Sequence, residues 1–99
     1  MPLQIKWSDF NKDNVSRENE NYGVFELGNS TGVLYIGEGH IHSRLLRHFP
    51  NGAEPLVGAS YYRVEYTRSK KRCEQRKSAE LNSYFKDKKT YPKFNTGKK

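Results

Sequence analysis

Cations gather along the second half of this chain in a pattern that suits phosphate. Residues 1–49 hold five Lys/Arg against six Asp/Glu, whereas residues 50–99 hold thirteen against five, so the formal net charge of +7 belongs to the second half. Lys70, Lys71 and Arg72 directly follow Ser69, which reads as the N-cap of a helix. Three cations in a first turn oppose the positive end of the helix dipole, a placement that stability does not favour and that contact with a phosphate backbone would. A lysine-rich solubilising surface is the competing account of the charge. Arg44 and His48 stand four residues apart and therefore share one face of an earlier helix, and the planar fork of Arg44 fits phosphate oxygens. Arg47, Arg76 and Lys93 complete the set of expected nucleic-acid contacts.

Other chemistries lack their residues. His40, His42 and His48 have no acidic partner at a recognised zinc spacing. The single cysteine, Cys73, precludes an internal disulfide and offers no thiol pair for a metal. Gly37-Glu38-Gly39 is not followed by the Gly-Lys-Ser/Thr of a nucleotide loop. No apolar run approaches the ~20 residues of a membrane span and no signal-peptide core is visible, so a soluble, cytoplasmic protein with no membrane partner is expected.

These side chains need elements to hold them. Tyr22 to Leu27 reads as a strand, Gly28-Asn29-Ser30-Thr31-Gly32 as a turn and Val33 to Gly37 as the returning strand, which together predict a β-hairpin with a loop of about five residues. Ile41, Leu45 and Phe49 form one helical stripe that Pro50-Asn51-Gly52 ends. Tyr61 to Thr67 alternates Tyr62, Val64 and Tyr66 with Tyr61, Arg63 and Glu65, the mark of a third strand. From Ser69 a second helix runs to about Lys88 on a stripe of Glu74, Ser78, Leu81 and Phe85, with Cys73, Ala79 and Tyr84 beside it. Hydrophobic residues make up only 33% of the chain, so a small core leaning on seven Tyr, five Phe and one Trp is expected. The expected organisation is an arm over residues 1–21 docked through Trp7 and Phe10, a domain over 22–95 and a flexible basic tail over 96–99.

The order hairpin, helix, strand, helix carries Gly23-Val24-Phe25, then Tyr35-Ile36-Gly37, then Arg44-Leu45-Leu46-Arg47-His48-Phe49, then a helix glutamate, then Pro92-Lys93-Phe94-Asn95. In that order and spacing the segment from Tyr22 to Asn95 resembles the GIY-YIG nuclease family. The resemblance implies an α+β fold, a small three-stranded antiparallel sheet flanked by helices. It also implies hydrolysis of DNA phosphodiesters with Mg²⁺ or Mn²⁺, in repair, recombination or processing. That chemistry needs a base for water, a cation for the phosphate and a metal for the departing oxyanion.

By the resemblance, Tyr35 is the second-motif tyrosine and candidate base, provided nearby cations favour its phenolate. Arg44 is the phosphate-holding arginine, His48 shares a proton or touches phosphate, and Asn95 closes the site by hydrogen bonding. Glu74 is the expected metal ligand, with Glu80, fifteen residues before Asn95, as the alternative. Two departures bear on activity. Phe25 stands where the family has its first tyrosine and has no hydroxyl, which leaves binding without cutting as the other outcome. Glu38 follows the second motif, where a carboxylate would repel phosphate unless turned away or joined to the metal. The implied partner is duplex or branched DNA, with RNA still open. A domain this small leaves specificity to DNA shape, a homodimer or a partner protein.

Overall fold

Residues 6–95 are described by the structure, a computed structural model; the expected tail at 96–99 lies outside them. In chain order these residues form β1 (Ser8–Asp9), α1 (Lys12–Ser16), β2 (Tyr22–Asn29), β3 (Gly32–His40), α2 (Ile41–Arg47), β4 (Tyr61–Tyr66), α3 (Lys70–Lys88) and a closing 3-10 turn (Lys93–Asn95). The fold is α+β. One antiparallel sheet of four strands, ordered β1-β4-β2-β3, carries the three helices. The expected three-stranded sheet gains β1, whose Ser8 and Asp9 pair with Tyr62 and Tyr61.

The hairpin is tighter than its sequence implied. β2 continues through Asn29 and β3 begins at Gly32, so only Ser30 and Thr31 turn the chain. Asn29 decides this: its Oδ1 accepts the Thr31 N–H at 2.9 Å and the Thr31 hydroxyl at 2.6 Å, and Gly32 supplies a φ of 136°. The register slips between Leu27, opposite Tyr35, and Gly28, opposite Val33.

β2 lies between β4 and β3 and is buried from Gly23 to Gly28, so its alternate residues feed two cores. Phe25 and Leu27 join Tyr62, Val64, Ile41 and Leu45 on the α2 side. Val24 meets Ile36, Leu81 and Tyr84 on the α3 side. The expected stripe of α3 is shifted. Ser78 and Phe85 are exposed, and the helix buries Cys73 and Glu80 with Arg76, Lys77, Leu81 and Tyr84 half-buried beside them. Ser69 caps α3 as anticipated, its Oγ accepting from Arg72 N at 3.3 Å.

The amino-terminal arm is more than a docked appendage. Val15 of α1 is fully buried in the main core, and Phe10 stacks on Phe49 with ring centroids 4.3 Å apart. The Tyr62 and Tyr66 hydroxyls both donate to Glu18 at 2.6 Å. Trp7 docks differently, with the Arg63 guanidinium 4.4 Å over its ring. No helix among the described residues is long and apolar enough to cross a membrane.

Candidate functional site

β3 passes into α2 without a linker, since His40 ends the strand and occupies the N-cap of the helix. His40 does not cap through its side chain; its Nδ1 meets the Glu20 carbonyl at 2.8 Å. Glu20 caps instead. Its Oε1 accepts the Ser43 N–H at 2.9 Å, and its Oε2 accepts the Ser43 hydroxyl. Burial pushes the Glu20 carboxyl up, but the Ser43 bonds and the nearby His40 and His42 outweigh it and leave the group below its ordinary value. A carboxylate facing the cleft is thereby committed to holding α2.

The cleft, about 490 Å³, opens between this end of β3, the face of α2 and the first turns of α3. It brings Arg44 and Arg47 of α2 together with Lys70 and Glu74 of α3. Gly39 makes room for this. A Cβ there would stand 2.8 Å from Arg44 Nε and 3.2 Å from its Cγ, so the arginine lies across bare backbone at a φ of 130° that glycine tolerates. Glu38 lines the same cleft, but its Oε1 lies 3.1 Å from the Cys73 thiol. Burial first, then Glu38, pushes Cys73 up to about 11, so the sulfur stays a thiol and is no nucleophile at neutral pH. Glu74 is the exposed carboxylate of the cleft that no hydrogen bond or ion pair among the described residues engages.

Tyr35 and His48 do not line this cleft; Tyr35 is half-buried and His48 buried, near enough for the charges of Arg44 and Arg47 to act on both. The Tyr35 ring meets the His48 ring edge-on at 5.1 Å, and Phe25 lies 6.0 Å from one and 5.8 Å from the other. Burial and then the Glu54 charge raise the Tyr35 phenol against the opposing pull of Arg44 and Arg47, so no resting phenolate is available. His48 does not join Arg44, half-buried along the cleft. It is buried as the C-cap of α2, its Nδ1 meets the Glu54 carbonyl at 2.8 Å, and burial lowers its pKa so that the imidazole is neutral. The carbonyl can only accept, which puts the proton on Nδ1 and leaves Nε2 as the acceptor.

The remaining expected residues fall elsewhere. Glu80 lies on the other face of the sheet, 2% exposed, against Glu26 and Arg76. Strand alternation puts Glu26 opposite to Phe25, so Glu80 cannot reach Tyr35. Arg76 is a tether, with Nε and Nη2 on the Glu65 carboxylate at 3.1 and 3.0 Å and Nη1 on Glu80 at 2.8 Å. Asn95 grips the free edge of β3: its Oδ1 accepts from Ile36 N at 2.7 Å and its Nδ2 donates to Ile36 O at 3.0 Å. Its amide thus completes the edge like a strand residue, next to Tyr35 in sequence. Lys71, Arg72 and Lys93 are exposed. Arg47, half-exposed, also pairs with Glu54 at 3.3 Å, a contact worth little in water.

A family described as a domain of unknown function, DUF7508, matches residues 1–87. The chain belongs to that family. Neither a curated protein nor a solved structure matches it. The match spans the amino-terminal arm and nearly all of α3. The DUF7508 domain also holds a chain of paired charges on the α3 side of the sheet. Arg63 Nε binds Glu26 Oε1 at 2.8 Å, Glu26 meets Glu80, Glu80 meets Arg76, and Arg76 grips Glu65. Arg76 Nη1 stands 2.8 Å from Glu80 Oε2, and the buried Glu80 carboxyl is thus held between Arg76 and Glu26. A glutamate inside the apolar run Tyr22 to Leu27, with Arg63 inside another strand, was the available signal.

Proposed function

We propose that this DUF7508 domain is a GIY-YIG-type endonuclease domain that hydrolyses DNA phosphodiesters with a divalent metal ion. The observation that carries the reading is the meeting of Arg44 with Lys70 and Glu74, from two helices some thirty residues apart, in one open cleft. A cleft that gathers cations around one uncommitted carboxylate suits a phosphate and a hard metal together. Arg44 would hold the non-bridging oxygens, with Lys70 and Arg47 adding attraction for the backbone.

Among the described residues no three His, Cys, Asp or Glu groups converge on a metal position. Glu74 alone fits a Mg²⁺ or Mn²⁺ that keeps waters and takes its other oxygens from substrate phosphate. Such an ion, when bound, supplies Lewis-acid stabilisation of the departing oxygen. The chain's own part is to bind and orient the phosphate and to move a proton. Tyr35 is a phenol in its resting state, so it would act as base only by passing its proton on, and the neutral His48 ring, 5.1 Å away between centroids, is the candidate to take it. Asn95 holds the backbone after Tyr35 in place.

The second reading, binding without cutting, is favoured by Phe25, which is 1% exposed and brings no hydroxyl to the site. One assay separates the two: cleavage of plasmid, branched and single-stranded DNA with Mg²⁺ or Mn²⁺. Wild type should cut, and Arg44→Ala and Glu74→Ala should each lose about 100-fold or more while melting normally. No cutting of any substrate, with salt-sensitive binding retained, would establish the second reading instead. Substrate shape, a second copy of the chain or a partner protein would then supply specificity.

A further inference from the structure

Phe85 was expected in the core, yet it stands 43% exposed near the end of α3, and Tyr91 beside it is 40% exposed. Their ring centroids are 4.8 Å apart with planes tilted by 41°. The chain builds this pair deliberately in one respect. Lys89 takes a left-handed φ of 64°, its N–H closes on the Phe85 carbonyl at 2.7 Å, and the reversal returns Tyr91 to the helix it has just left. Pro92, fully buried, pins the returning segment.

The two rings, with Asn82, Ser83 and Lys86, line an open hollow of about 420 Å³. Lys86 is exposed in its lining, and the exposed Lys88 and Lys89 follow at the end of α3, against a single acid in that stretch, Asp87. Lysine is depleted in the buried centres of protein interfaces, so an aromatic pair beside Lys86 on a lysine-rich helix end is poorly suited to another protein surface. It is well suited to a base whose flat face stacks on a ring while its phosphates meet ammonium groups. Paired bases are already stacked and offer no such face; unpaired ones do.

We infer that the exposed Phe85–Tyr91 pair, with Lys86 beside it, is a stacking platform for the unpaired bases of single-stranded nucleic acid. The platform and the Arg44–Glu74 cleft share helix α3. Glu74, Ser78, Asn82 and Phe85 run along its exposed side, and eleven residues of helix separate the first from the last by about 16 Å. A strand bound at the platform can therefore follow α3 toward the cleft, which would make an unpaired arm the part of a substrate this domain grips. Binding at the rings itself requires neither a metal nor cleavage.

The test is binding of a fluorescein-labelled oligothymidylate by fluorescence anisotropy in low salt without divalent metal, with the duplex it forms with oligodeoxyadenylate of equal length beside it. Wild type should prefer the single strand, and Phe85→Ser and Tyr91→Ser should each weaken that binding about fivefold or more while changing duplex binding by less than about twofold. Phe85→Trp with Tyr91→Phe keeps two flat rings and should retain single-strand affinity, which distinguishes stacking from general damage to the end of α3; thermal melts confirm that the serine variants fold. Equal affinity of the serine variants for the single strand, or equal loss on both ligands, would overturn the platform. Loss of a self-association in the serine variants, seen by sedimentation with no single-strand binding in wild type, would overturn it in favour of a second copy of the chain. Because cleavage is not read, failure of the nuclease reading leaves this result intact.

Discussion

Two glycines on β3 hold open the space the candidate site depends on, and they do so for different reasons. Gly39 bears Arg44 across its bare Cα, whereas Gly37 admits two rings: a Cβ there would meet Phe25 Cζ at 2.4 Å and Tyr35 Cε2 at 2.7 Å. Neither ring can step aside cheaply, since Phe25 is buried to 1% and Tyr35 is held against His48. Gly37→Ala is therefore expected to cost about 1–3 kcal/mol, visible as a fall in Tm of several degrees per kcal/mol. An unchanged Tm would mean that the ring cluster repacks freely. The glycine was legible as part of Tyr35-Ile36-Gly37, but its use was not, because which rings cross above it depends on the β2–β3 register.

Helix α3 is held by charge as much as by apolar contact. Glu80 faces Glu26 from β2, Arg63 and Glu65 from β4 and Arg76 on its own helix. Burial first, then the Glu26 charge, raises its pKa to about 7 against the opposing pull of Arg76. A carboxyl raised in the folded state keeps a proton that the unfolded chain has released, so its contribution is full below about 4.5 and is lost as pH rises toward about 7. Lowered His48 acts in the opposite sense, since the unfolded chain binds that proton more readily. The comparison of wild type with Glu80→Gln isolates the glutamate. Urea unfolding midpoints followed across this window should fall with pH more steeply in wild type than in the neutral variant. Parallel pH profiles would show that Glu80 does not titrate under α3. This network explains the shifted stripe of α3: periodicity put Ser78 and Phe85 inward, but the helix rotates to give Cys73, Glu80 and Arg76 to the sheet.

At the scale of the molecule, the arm and the sheet form one cooperative unit. β1 pairs with β4, Val15 fills the α2-side core, and Glu18 collects the hydroxyls of Tyr62 and Tyr66. A chain beginning at Tyr22 would open that core and strand two tyrosine hydroxyls. It is expected to lose cooperative thermal unfolding, and Val15→Ala in the full chain to cost about 1–3 kcal/mol. A truncated chain that melts as sharply as the full one would restore the arm to the status of an appendage. Helix α1 within the arm was not legible because it is only five residues long and its single buried group is one valine, too little periodicity to register as an element.

Local physical chemistry in the sequence determined the order of the elements: the hairpin, the Ser69 cap, the alternation of β4 and the concentration of positive charge after residue 50 all follow from neighbours along the chain. The candidate residues Arg44 and Glu74 were likewise readable as types on helices. Tertiary structure alone decided which of them meet. It divided Glu74 from Glu80 by turning them to different faces of α3, turned His48 inward, sent Asn95 to the edge of β3 and brought Phe85 out to Tyr91. Those outcomes depend on strand register, on helix rotation and on the burial of paired charges, all of which are set by contacts between residues far apart in the chain.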